Sequence, residues 1–260
     1  FYDEQVFKTF VKHSGAIAVT ARLLGEKIKD IWSRDYLYLA NAVNSTLFEP
    51  SKTYQKPDDL VQGKKTLLYF GSLWGEWFDW DKILYVANHC DCEINLIGDY
   101  QPILEKTKTM PKNIHFLGLK KQTDLPAYLH YSDIALLPFK NCEIGKYVSP
   151  LKIFEYIAMN KPVLATPLDD IAGYPNVIAT DSKKEWAAAV EMDWELQETS
   201  TFISQNNWFA RCNELLKYSA QEKNWIPSIS IVVLNHNNMK VIFRCISSLL
   251  DFNEKYHCEI

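Results

Sequence analysis

Between about residues 15 and 180 the chain alternates short, nearly continuous apolar runs with amphipathic stretches. Few architectures satisfy that pattern. An apolar run of only a few residues, rich in Ile, Val, Leu and Tyr, reads as a strand buried on both faces, and apolar residues spaced every three or four positions read as a helix with one buried side. A chain that keeps switching between the two is expected to build a parallel sheet covered by helices on both faces. The strands are expected at Ala16 to Val19, Leu37 to Leu39, Thr66 to Phe70, Glu93 to Ile97, Ile114 to Leu117, Ile134 to Leu137, Pro162 to Ala165 and Val177 to Ala179. Helices are expected at Glu4 to Lys12, Arg22 to Ile31, Trp80 to Asn88, Pro102 to Lys108, Thr123 to Tyr131, Leu151 to Met159, Lys183 to Met192 and Asn207 to Ser219.

Two breaks divide this pattern. The polar stretch from Pro50 to Lys65 holds two prolines, a glycine and several charges, and reads as a connector. The second break falls at Asn224-Trp225-Ile226-Pro227, after which a fresh apolar run opens at Ser228. The expected organisation is therefore 1–50, 51–205, a returning helix and linker over 206–226, and a new unit over 227–260. Phe1 stands where a start methionine would, and an apolar run reads as cut short at Ile260. The chain reads as a piece of a longer protein.

Composition narrows the function. Apolar residues make up 47% and charged residues 23%, a globular mixture, and a net charge of −4 argues against a general affinity for nucleic acid. No run approaches the ~20 apolar residues that span a bilayer. Six scattered cysteines fit reduced thiols in a cytoplasmic protein. His89-Cys90-Asp91-Cys92 lacks a second Cys/His pair at ligand spacing, so a helix end running into a strand is preferred to a metal half-site, and no metal is expected.

The most informative segment runs from Ser149 through Pro150-Leu151-Lys152 to Glu155 and on to Lys161-Pro162-Val163. Ser149 suits an N-cap, Pro150 the first helical position, and Asn160 the left-handed residue that closes the helix. Free N–H groups and the positive dipole end make such a helix start a diphosphate site, with Lys152 in its first turn. An ordinary solvated lysine is the alternative. Glu155, one turn on, either accepts the hydroxyls of a ribose or pairs with Lys152 along the helix.

This segment resembles the donor-site helix of retaining GT-B glycosyltransferases, the large family that includes bacterial polysaccharide and teichuronic acid transferases. Further resemblances follow in chain order. Ala40-Asn41-Ala42-Val43 with Phe48 resembles the interdomain turn, and Tyr69-Phe70-Gly71-Ser72 the first strand and glycine turn of the donor domain. Ile114 to Gly118 with Leu125, Tyr128 and Asp133 resembles the strand and helix under the nucleotide base, and Asn207-Trp208 through Arg211 the closing helix. The resemblance implies an α/β fold: a Rossmann-like GT-B donor domain, a partial N-terminal half, and a truncated C-terminal βα unit. The last, Pro227 to Asn237 with Cys245 to Leu249, resembles the opening of an inverting GT-A glycosyltransferase, although a βα unit of any Rossmann-like fold remains the alternative.

Carried over residue by residue, the resemblance implies that Gly71 and Ser72 line the diphosphate and that the loop at Leu119 and Lys120 meets the base. It implies that the amides from Ser149 to Leu151 hold phosphate oxygens beside Lys152, and that Glu155 binds the ribose. The substrate would be a UDP- or GDP-linked sugar, with no further cofactor, and the acceptor a glycan or lipid-linked glycan. The setting would be the cytoplasm or the inner face of the membrane. Two departures stand out: Tyr147 occupies the position of a glutamate that often contacts the donor sugar, and Leu73-Trp74-Gly75-Glu76-Trp77-Phe78-Asp79 replaces a basic residue after the glycine turn. Packing is preferred to ligand stacking for those aromatics. His13 reads as a structural or surface histidine, and no catalytic residue is assigned. Binding of donor with little transfer is expected of the chain alone; a non-catalytic docking module within a two-domain transferase is the competing reading, and a sugar-nucleotide epimerase a weaker one.

Overall fold

The computed structural model describes residues 4–140, 147 and 149–219, so the expected unit from Pro227 onward lies outside the described residues. The chain opens with α1 (Glu4–His13), β1 (Ala18–Val19), α2 (Arg22–Trp32) and β2 (Leu37–Tyr38). β1 and β2 pair in parallel, Ala18 opposite Leu37, over a small core of Val11, Ile17, Val19 and Ile28. Arg34 ties this unit together by donating to the carbonyls of Val11 (3.0 Å) and Ser14 (2.6 Å) at the end of α1.

After the connector come β3 (Thr66–Phe70), α3 (Trp80–His89), β4 (Glu93–Ile97), a 3-10 turn (Gln101–Ile103), α4 (Leu104–Thr107), β5 (Ile114–Gly118) and α5 (Leu125–His130). These are followed by β6 (Ile134–Leu137), α6 (Leu151–Ala158), β7 (Val163–Ala165), a 3-10 turn (Asp169–Ile171), β8 (Val177–Ala179) and α7 (Lys183–Glu191). The six strands form one parallel sheet in the order β5-β4-β3-β6-β7-β8. Every residue of β3 is buried, as its uninterrupted apolar run requires of a central strand. The order reverses at β3. Right-handed crossovers therefore put α3 on one face and α5 and α6 on the other, and α7 returns to pack on α3.

The connector lies against the sheet. Asn95, fully buried on β4, accepts from the Val61 N–H (3.0 Å) and donates to the Val61 carbonyl (2.8 Å). The chain returns through α8 (Ser200–Gln205) and α9 (Trp208–Ser219). Val43 bridges Asn207, its N–H donates to the Asn206 carbonyl (3.0 Å), and Arg211 Nε donates to the Ala40 carbonyl (2.9 Å). Among the described residues no helix is long and apolar enough to cross a membrane.

Candidate functional site

In an open parallel sheet the strand order reverses at one place, and the loops leaving the carboxyl ends of the two strands there diverge and leave a crevice. Here those strands are β3 and β6. The loop after β3 begins with Gly71, and the segment after β6 leads into α6. Gly71 sits at φ +144°, and a Cβ there would lie 2.4 Å from Lys152 Cε and 2.7 Å from Nζ. Only glycine lets the turn and the Lys152 side chain approach this closely. The turn is fixed by the Gly71 N–H donating to the Ile97 carbonyl (2.8 Å) and by Tyr69 donating to the Ser72 carbonyl (3.0 Å). The Ser72 hydroxyl itself donates to the Trp74 carbonyl (3.1 Å).

α6 starts at Leu151, where the apolar spacing places it and one residue later than the reading of Pro150 as the first helical position implies. Pro150 is the N-cap, with φ −73° and ψ 106°, and no side chain caps the helix. Ser149 does not cap it because the Ser149 hydroxyl accepts from the Asn41 N–H (3.3 Å), and the Ser149 carbonyl accepts from Asn41 Nδ2 (2.7 Å). Pro150 carries no N–H, so it cannot be one of the expected amide donors. The N–H groups of Leu151 and Lys152 stand free among the described residues, whereas that of Ile153 turns back to the Pro150 carbonyl (3.3 Å).

The Lys152 ammonium lies between two rings, 5.7 Å from the centroid of Tyr69 and 5.8 Å from that of Phe139. Among the described residues it has neither a hydrogen-bond acceptor nor a carboxylate within ion-pair distance. Burial lowers its pKa, with the Glu155 charge opposing. Glu155 is 5% exposed, and its contact is Gln122 Nε2 donating to Oε1 (3.3 Å). Burial pushes its carboxyl up to about 7, against the Gln122 bond and the Lys152 charge. The intrahelical Lys152–Glu155 ion pair is thus not made. Among the described residues, a cation without an ion-pair partner, two free amides and a buried carboxylate whose pKa is raised by burial thus gather in the first two turns of α6, an arrangement with unused capacity for an anion and for hydroxyl donors.

The loop expected to meet the base is more committed. Lys120 donates to Asp59 Oδ2 (2.6 Å), Tyr128 donates to Oδ1 of the same carboxylate (2.6 Å), and Leu119 is 77% exposed. Phe78 is core, and Trp77 and Trp80 pack on the core; Trp74 stands half-exposed. Tyr147 is exposed, with Lys27 Nζ of α2 5.9 Å from its ring centroid. His13 is exposed and bonds the Thr9 carbonyl (2.8 Å). Cys90 and Cys92 are free thiols at the end of α3, and among the described residues no cluster of His, Cys, Asp and Glu could hold a metal ion. Sequence reasoning missed Asn41 and Gln122 as partners of the site, since each lies far from α6 in the chain and neither type signals a contact by itself.

The family described as Glycosyl transferases group 1 matches residues 64–193, half of the chain and nearly all of the six-stranded unit. The chain belongs to this glycosyltransferase family. A curated relative, TuaH of Bacillus subtilis (strain 168), named as a teichuronic acid biosynthesis glycosyltransferase, is 36% identical over 56 residues, 22% of this chain and 14% of TuaH. Among solved structures, a glycosyltransferase from Rickettsia africae superposes with a TM-score of 0.64 at 17% identity, over 86% of this chain and 69% of that one. HepE from Anabaena, solved in complex with UDP and glucose, gives 0.63 at 12% identity, over 84% of this chain and 66% of its own. At such identities these likenesses establish the Rossmann-like GT-B architecture of this group 1 glycosyltransferase. The chain spans about two thirds of the solved relatives and a small part of TuaH.

Proposed function

We propose that this chain forms the donor-binding part of a transferase that takes a nucleoside diphosphate sugar, UDP- or GDP-linked, and moves the sugar to an acceptor hydroxyl during glycan synthesis. The observation that carries the reading is Lys152. Among the described residues its ammonium sits without an ion-pair partner, against the Gly71 turn at an uncapped helix start, where an anion would complete it. The diphosphate would take the N–H groups of Leu151 and Lys152 and the Lys152 ammonium, and the ribose hydroxyls would donate to Glu155. Transfer would break the bond between the anomeric carbon and the diphosphate oxygen and form one from that carbon to the acceptor oxygen, whose hydroxyl proton would leave with the diphosphate, with retention as the family resemblance implies. Negative charge grows on the departing diphosphate, and preorganised donors at the helix start stabilise it more in the transition state than in the ground state.

A hexosyl donor and a surface-polysaccharide acceptor extend this reading, supported by the teichuronic acid relative and by the UDP and glucose bound to HepE. Neither the fold nor the family match favours the docking-module alternative. The chain by itself is proposed to bind donor and transfer little. Calorimetric titration with UDP, and with GDP in parallel, tests the reading. Saturable binding to one of them, weakened about tenfold (about 1.4 kcal/mol) by Glu155→Ala, is expected; absence of binding to both overturns it.

A further inference from the structure

Ser149, two residues before α6, is held from the first half of the chain. Asn41 belongs to the turn after β2, 108 positions before Ser149, yet its N–H and its side-chain amide both reach that residue, donating to Oγ (3.3 Å) and to the carbonyl (2.7 Å). Ser149 is 7% exposed, and both bonds are partly buried. The turn carrying Asn41 is itself anchored on both sides. Arg211 Nε donates to the Ala40 carbonyl (2.9 Å), the Val43 N–H donates to the Asn206 carbonyl (3.0 Å), and the Trp208 N–H donates to the Val43 carbonyl (3.3 Å). Lys27 of α2 approaches the Tyr147 ring at 5.9 Å, a second contact between the first half and the same segment. From Ser149 only Pro150 intervenes before the free N–H of Leu151, and its ring fixes φ at −73°. A displacement of Ser149 therefore passes to the helix start with little slack.

We propose that Asn41 is a positioning residue for the donor site: by gripping Ser149 it sets where the Leu151 and Lys152 N–H groups point, and so couples diphosphate binding to docking of the first half on the six-stranded unit. The proposal rests on the donor-site reading given above. Geometry of this kind matters because hydrogen-bond donors misplaced by a fraction of an ångström lose much of their value toward a charged ligand. The coupling is reciprocal: a nucleotide at α6 strengthens the docking that Asn41 mediates.

The test compares UDP with UMP, or GDP with GMP if the chain binds guanine nucleotides, by calorimetry on the unaltered chain and on Asn41→Ala. Thermal unfolding is followed without ligand. Asn41→Ala is expected to weaken UDP about tenfold and to lower the UDP-to-UMP affinity ratio several-fold, because the helix start meets the diphosphate and not the nucleoside. Asn41→Asp keeps the size and the backbone bond to Ser149 Oγ but has no side-chain donor for the Ser149 carbonyl. It is expected to behave alike and serves if the alanine variant folds poorly. Unchanged UDP affinity, or equal losses for UDP and UMP, in variants that fold overturns the positioning role and leaves the donor site standing. No nucleotide binding by the unaltered chain overturns the donor-site reading and this inference with it.

Discussion

Two lysines in the first turns of two helices, both at the carboxyl edge of the same sheet, have opposite surroundings. Lys82 opens α3 and is 4% exposed; it donates to Asp79 Oδ2 (2.8 Å) and lies 3.4 Å from Asp181 Oδ1. Asp79 also caps the helix by accepting from the Lys82 N–H (3.2 Å). That helix start is complete: its charge is neutralised and its cap is made. Lys152 opens α6 with no side-chain cap and, among the described residues, no counter-ion. A positive charge beside a positive helix end is unfavourable until an anion arrives. The same residue type is therefore structural in α3 and, on the proposed reading, ligand-seeking in α6, and the difference lies in the acids around it.

The largest expected effect comes from breaking the paired member. Lys82→Met leaves Asp79 and Asp181 without their cation and is expected to lower stability by about 3 kcal/mol, measured by denaturant unfolding, with nucleotide affinity within about twofold of normal. A small loss would put the two lysines in one class and undo the comparison. Next comes Glu155, whose folded-state carboxyl titrates at about 7, well above its ordinary value of 4.5. The folded chain binds that proton more tightly than the unfolded chain, so this group's contribution is most favourable below about pH 4.5. It becomes steadily less favourable up to about pH 7 and is constant beyond. Glu155→Gln is expected to remove that decline and to be more stable than the parent at pH 8, on the order of 2 kcal/mol, while binding nucleotide less well. Subtracting the two pH–stability curves isolates this group; a flat difference would place the carboxyl outside its buried setting.

For the unpaired lysine the sign reverses. Lys152→Met is expected to leave stability unchanged or slightly raised, and to weaken UDP about tenfold, about 1.4 kcal/mol, by calorimetry. A clear fall in stability would show that Lys152 has a structural partner like that of Lys82. The smallest effect belongs to the seam between the halves. Among the described residues Tyr38 Oη and Asp170 Oδ1 are buried without a hydrogen bond of full geometry, although each acts electrostatically on the other, and Arg22 Nε stands 3.8 Å from that Asp170 oxygen. Tyr38→Phe removes one unsatisfied group and is expected to stabilise by up to about 1 kcal/mol, read as a higher unfolding midpoint; a destabilised variant would mean the hydroxyl is bonded in solution.

Much of the sheet was legible because its inner strands are buried on both faces and write themselves as apolar runs: β3, β4 and β6 fall where those runs lie, and the edge strand β8, though not buried, is apolar as well. The helix expected over Pro102 to Lys108 breaks into a 3-10 turn and a single α-turn. Thr107 and Thr109 spend their hydroxyls on the Leu104 (2.7 Å) and Lys106 (3.1 Å) carbonyls, a local competition that periodicity does not register. α8 escaped notice because its sequence is polar apart from Phe202 and Ile203; Phe202 packs near Phe154 and Tyr174, so the helix depends on tertiary contact. At the site, Lys152, Glu155 and the glycine turn could be found from their spacing and the resemblance. The cap could not, because Ser149 is a good N-cap by residue type and is diverted by Asn41, a contact across 108 positions.

The most direct test of the account is the structure of the chain with UDP or GDP bound. The account predicts the diphosphate at the start of α6, within hydrogen-bond distance of Lys152 Nζ and the Leu151 N–H, and the ribose on Glu155. A nucleotide bound elsewhere, or one whose phosphates point away from that helix, would contradict it.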